Sequence, residues 1–129
     1  MPSGLPAVTG DVLTAANYNS LVAFTVGTAN TTDYTAVLAD SYQVLEVMNK
    51  ATAIAFKIPT DASVAFPVGT ALTVLNIGAG VCTISAVTPG TTTVLSAGAV
   101  AASPTLAQYK TAVAIKTAAN TWYVVGGIA

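Results

Sequence analysis

Beyond Val22, apolar and polar positions alternate with a period of two in short runs, and small or turn-forming residues separate the runs. Successive side chains of a strand point to opposite faces, so this period predicts β-structure. Thr52–Ile58 is the clearest case. Ile54, Phe56 and Ile58 share one face, Ala53, Ala55 and Lys57 the other, and Pro59, which cannot donate to a ladder, ends the run. Val22–Thr28 and Thr32–Leu38 are predicted strands before it, with Ala39–Ser41 as a turn. Tyr42–Met48 is partly apolar on both sides, the pattern of a strand with little exposed face. A loop over 60–70 tucks Val64 and Phe66 inward. Ala71–Ile77 and Val81–Ala86 flank Gly78-Ala79-Gly80 and read as a hairpin. Pro89-Gly90 marks a turn, Thr91–Leu95 a short strand and Ser96–Pro104 a loop. Gln108–Thr117 sets Tyr109, Thr111, Val113 and Ile115 against Lys110, Ala112, Ala114 and Lys116, with the two lysines on its solvated side. Ala118–Asn120 then turns the chain into Thr121–Val125, completing a final hairpin that Trp122 anchors.

Roughly eight or nine short strands, spaced about 8–12 residues apart, predict an all-β fold: a single β-sandwich or jelly-roll-like domain over 22–129. Residues 1–21 read differently, as an N-terminal arm for attachment. Met1–Gly10 holds two prolines and two glycines and should be extended. Asp11–Leu21 fits a short helix capped by Thr14, with Leu13, Asn17, Tyr18 and Leu21 on neighbouring turns, and fits an irregular arm equally well.

Composition narrows the function classes. The 129 residues are 53% hydrophobic but only 7% aromatic, so the apolar content is largely Ala and Val. Charged residues are 7%, against roughly 25% in an ordinary soluble domain. There is no His and no Arg, and the net charge is −1. Four scattered lysines cannot neutralise a run of phosphates, which argues against nucleic-acid binding. Mean hydropathy is +0.70, yet polar or small residues interrupt every apolar run well short of the roughly 20 residues a membrane helix needs. Met1–Asp11 lacks the basic start and apolar core of a secretory signal, so synthesis in the cytoplasm is expected. A surface this poor in charge is a solubility hazard for a lone copy, which assembly would resolve.

No reactive constellation stands out, and no catalytic residue, cofactor or metal site is expected. A Ser or Thr nucleophile lacks a histidine base. Asp33, Asp40, Glu46 and Asp61 fall near predicted turns or strand ends, where carboxylates commonly satisfy backbone groups. Gly78-Ala79-Gly80 has no Lys-Ser/Thr sequel and enters a strand, unlike a phosphate loop. Cys82, the single cysteine, reads as a small core residue.

The runs Ile58-Pro59, Val64–Thr70 and Leu72–Ile84, followed by Tyr109, Lys116, Asn120, Trp122 and Gly126, resemble a module of tailed-phage virion proteins. The start Gly10–Ala16, with Asn17 or Asn19, is similar to the opening of many phage tail and head-surface proteins, where it forms the attachment end. The module is reused in tail fibres, tail proteins and head decorations. One arm and one β-domain, without a shaft, look most like a capsid decoration (minor capsid) protein. The resemblance implies a trimer on the outer surface of the virion head, with the major capsid protein as partner; the alternative is a tail-associated structural or host-binding protein. Neither nucleic acid nor membrane is an expected partner. In the arm, Leu5, Val8, Val12, Leu13, Tyr18 and Leu21 are the candidate capsid or subunit contacts.

Overall fold

The structure is a computed structural model and describes residues 14–15 and 23–129. The candidate contacts Leu5, Val8, Val12, Leu13, Tyr18 and Leu21, and almost all of the alternative helix over 11–21, lie outside the described residues. The described chain is all-β, with ten strands in two mixed sheets and one short 3-10 helix.

Strands β1 (Thr25–Val26), β3 (Val44–Met48), β5 (Ala71–Asn76), β9 (Lys110–Ala118), β10 (Thr121–Gly126) and β7 (Thr93–Ser96) form one sheet in that order. Strands β2 (Tyr34–Thr35), β4 (Ile54–Ile58), β6 (Cys82–Ala86) and β8 (Thr105–Leu106) form the other. Odd-numbered strands thus go to the larger sheet and even-numbered ones to the smaller until β10. The chain winds back and forth, and strands stack in parallel on partners one winding earlier. Thr25 pairs with Val44, Tyr34 with Phe56, Leu45 with Thr73, and Ile54 with Cys82. The β7–β10 ladder is parallel too, whereas β5–β9, β9–β10 and β6–β8 are antiparallel.

This winding corrects the expected hairpin between Ala71–Ile77 and Val81–Ala86. Those segments become β5 and β6 of different sheets. Gly78-Ala79-Gly80 is a corner, stacked on the earlier corner between β3 and β4. Gly78 N donates to Met48 O at 3.3 Å, Gly80 N to Lys50 O at 2.9 Å, and Ile54 N to Val81 O at 3.1 Å. A Cβ at Gly80 would collide with the Thr52 carbonyl oxygen, so the glycine permits backbone to lie on backbone. Asn76 is fully buried at this corner. Its amide donates to Gly80 O at 2.9 Å and Leu106 O at 2.8 Å, and its carbonyl oxygen accepts from Gly78 N at 3.1 Å.

Buried side chains from both sheets form one core, including Ile54, Phe56, Ile58, Cys82, Ile84 and Leu106 from the smaller sheet and Met48, Leu72, Val74, Ala112, Ala114, Trp122, Val124 and Val94 from the larger. Phe66 closes over Trp122 edge to face, with ring centroids 5.4 Å apart. The expected inward Val64 and Phe66, the core Cys82 and the final hairpin are all present.

The expected orientation of β9 is reversed. Ala112, Ala114 and Lys116 face the core, and Thr111, Val113 and Ile115 face outward. Size explains the choice: Ala114 sits between Leu72 and Val124, and Ala112 beside Val74. Bulky neighbours leave a central strand room for methyl groups only. Other differences concern segment boundaries, and of the expected strands Val22–Thr28 and Thr32–Leu38 only Thr25–Val26 and Tyr34–Thr35 are strand. Leu38–Ser41 forms the 3-10 helix, and β8 lies just after Pro104 in a stretch whose Thr105–Leu106 gave no strand pattern.

Gly80→Ala should lower stability by about 1–3 kcal/mol through backbone collision. Gly90→Ala, with nothing within 4 Å of the added methyl, should leave it within about 0.5 kcal/mol of wild type. Urea melts of the two variants check this contrast.

Candidate functional site

Among the described residues, two groups of charged side chains sit inside the fold. The first is built on Lys116, only 4% exposed near the end of β9. Its Nζ donates to Asp61 Oδ1 at 2.8 Å and to Phe66 O at 2.6 Å. Asp61 comes from the loop after β4, and its other oxygen accepts from Asn120 N at 3.0 Å. Asn120 holds a φ of +48°, the left-handed conformation asparagine tolerates, in the β9–β10 turn. Its Oδ1 accepts from Asp61 N at 2.9 Å, and its backbone O accepts from Thr93 N at 2.7 Å. One ion pair and one asparagine therefore join the 59–70 loop, the final hairpin and β7. The Lys116 ammonium, aided by Asn120 N, holds the Asp61 carboxyl below its ordinary 3.8.

The second group lies where β2, the 3-10 helix and β3 meet. Asp40 Oδ2 accepts from Tyr34 OH at 2.8 Å and from Val37 N at 2.9 Å. Glu46 Oε2 accepts from Asn30 Nδ2 at 3.0 Å. Both carboxyls are buried. Burial first, and the neighbouring Asp40 second, raise Glu46 above its ordinary 4.5. Burial and the bond to Asp40 likewise push the Tyr34 hydroxyl far up.

Among the described residues the other ionic contact, Lys57 to Asp33 at 3.8 Å, is exposed on both sides and contributes little. Cys82 is fully buried, and burial pushes its thiol up to about 11, far from a reactive thiolate. Among the described residues no three His, Cys, Asp or Glu side chains gather as a metal site would require, and no helix is long and apolar enough to cross a membrane.

Sequence reasoning placed Asp61 and Lys116 correctly on a loop and a strand, but read Asp61 as serving backbone groups alone and Lys116 as a solvated charge. The structure brings them together across 55 positions. A lysine in phase with Ala112 and Ala114 was the available signal.

The more extensive feature is a surface. The outward positions of the larger sheet form transverse rows: Leu45, Thr73, Val113 and Val125 in one, and Ala71, Ile115, Tyr123 and Leu95 in the next. Neither row contains a charge. Tyr123 and Val125 are 46% and 50% exposed. Beside them a groove of about 670 Å³ is lined by Leu95, Ala97, Gly98, Val125 and Ile128. Comparison with protein families, with characterised proteins and with solved structures gives no match to this chain.

Asp61→Ala should cost about 2–4 kcal/mol, because it leaves the Lys116 cation buried with one partner fewer; adding Lys116→Met should restore most of that loss. Chemical denaturation of the single and double variants checks this.

The two carboxyls also give opposite pH trends. The contribution of Asp61 is present above 3.8 and is lost as pH falls through its lower folded value. That of Glu46 is present below 4.5 and is lost as pH rises through its higher folded value. Glu46→Gln, which keeps an acceptor for Asn30 without a charge, should raise Tm at pH 7 and flatten the decline of Tm above pH 4.5. Thermal melts across pH 3–8 measure both trends.

Proposed function

We propose that this protein is a structural component of a tailed-phage particle: a capsid decoration (minor capsid) protein that binds the outer surface of the head as a homo-oligomer and reinforces the shell. The observation that carries the reading is how the charged groups are deployed. Lys116, Asp61, Asp40 and Glu46 are engaged in holding loops and strands together, and the broadest outward surface of the larger sheet is apolar. A protein with that allocation works by being packed among neighbours. Nothing in it asks for catalysis. The resemblance of Ile58–Ile84 and the Tyr109–Gly126 stretch to phage virion modules supplies the setting, the major capsid protein as partner, and a trimer as the assembled form. A ligand that binds only the assembled shell stabilises it by mass action, which is how such a protein reinforces a capsid without chemistry.

In this reading the two sheets form a sandwich around their shared core. It is wound largely in parallel, unlike the jelly roll, whose strands run antiparallel. The arm over 1–21, with Leu5, Val8, Val12, Leu13, Tyr18 and Leu21, grips the shell, and the β-domain forms the body of the oligomer.

Purified particles should carry the protein on the head in a copy number comparable with that of the shell subunit. A few copies confined to the tail would favour the tail-associated or host-binding alternative. Deleting residues 1–20 should abolish binding to undecorated heads and leave the oligomer intact. Co-sedimentation with heads, paired with light scattering, reads both effects.

A further inference from the structure

We infer that copies of this chain assemble through the outer face of the larger sheet, packing its five strands from β3 to β7 in one copy against the same strands of another. A face that meets its own copy does so across a two-fold axis, so this contact is separate from the three-fold contacts of the trimer proposed above. It does not depend on where in a virion that oligomer sits.

Three observations meet on this face. The first is its uniform chemistry. From β3 to β7 the outward rows contain Leu45, Leu75, Val113, Ile115, Val125 and Leu95 with Ala, Thr and Tyr between them, and no charge. An uncharged face carries no like-charge repulsion when it meets a copy of itself, whereas a charged partner would find nothing complementary there. The second is its relief. Tyr123, 46% exposed, forms a wall of a groove of about 670 Å³ that Leu95, Gly98 and Ile128 also line, so one patch holds both an exposed ring and a recess. A self-complementary interface needs both on the same subunit. The third is size. Five strands at ~4.8 Å spacing, about six residues long at ~3.3 Å per residue, present roughly 24 by 20 Å. Packing two such faces removes on the order of 1,000 Å² from water, where specific interfaces begin.

Tyr109 belongs to the same argument. It stands at the start of β9, 76% exposed, with a φ of +63°. A bulky residue in the left-handed region is held there at a cost of order 1–3 kcal/mol, and such strain concentrates at sites of recognition. The backbone is fixed at the end of β5 by Tyr109 N donating to Asn76 O at 2.6 Å.

The test uses the full chain with a thiol probe. Tyr123→Cys places a reactive group in the face, while Cys82 stays buried with its thiol pushed up to about 11, and Val87→Cys, 47% exposed just beyond β6 of the smaller sheet, is the control. Maleimide labelling of Tyr123→Cys should be at least ten-fold slower than that of the control at high protein concentration, and the difference should vanish on dilution. Protection that persists at every dilution would mean that the chain's own residues cover the face, and absence of protection that nothing does; either overturns the inference. Sedimentation adds an independent reading. The wild-type chain should be a multimer that a Tyr123→Lys, Val125→Lys double variant weakens at least ten-fold, with an unchanged circular dichroism spectrum. A multimer of undiminished strength in the double variant would also overturn it. Neither outcome bears on whether the protein is found on phage heads, so the two readings fail separately.

Discussion

The inward-facing ammonium of Lys116 is the constraint on which the rest of this structure depends. A strand has only two faces, and moving its register by one residue exchanges them completely. With Lys116 held by Asp61 and the Phe66 carbonyl, Ala112 and Ala114 must face the core, and Val113 and Ile115 must face outward. Burying a cation is costly, and the interaction is excellent only because both acceptors are within 2.8 Å. The return is specificity. The alternative register would place larger side chains between Leu72 and Val124, where the neighbours leave room for a methyl group, and would abandon the ion pair. The charge-free outer face is thus a product of the same interaction that orders the interior.

The positions of most strands were legible in the sequence, because alternation is a local property. Ile54, Phe56 and Ile58 lie where their pattern puts them, and so does the β9–β10 hairpin with its Asn120 turn. Pairing was less legible. Gly78-Ala79-Gly80 has the chemistry of a hairpin turn, but the same small residues serve wherever backbone lies on backbone, and here they form a corner between sheets. The facing of β9 was hidden for a different reason. Judged by hydrophobicity alone, Val113 and Ile115 outrank two alanines and a lysine; only the volume left by neighbouring strands reverses that order. The partners of Lys116 lie 50 and 55 positions along the chain and Asn30 lies 16 from Glu46, and no local rule identifies them.

The polar interior divides into two kinds of joint. Around Asn120 an ion pair ties loop, hairpin and edge strand together, with two hydrogen bonds to each charge. Around Asp40 and Glu46, two acids share a confined space with Tyr34 and Asn30, and the neutral form of Glu46 is the comfortable one. The first joint favours neutral solution and the second mild acid. They sit on different strands, so the fold responds to pH at two separate places.

The parallel winding has a consequence for how the chain reaches this state. Ladder partners in parallel stacks stand between 19 and 28 positions apart, so most strands must close a long loop before gaining a neighbour. Topologies rich in such distant pairings fold slowly. The one tight local unit, β9 with β10, is also the piece that supplies Trp122 and Lys116, and it follows nearly all its partners in sequence. A chain emerging from the ribosome therefore holds an unfinished stack of coils until that hairpin arrives and locks them, which makes folding a late, nearly all-at-once event.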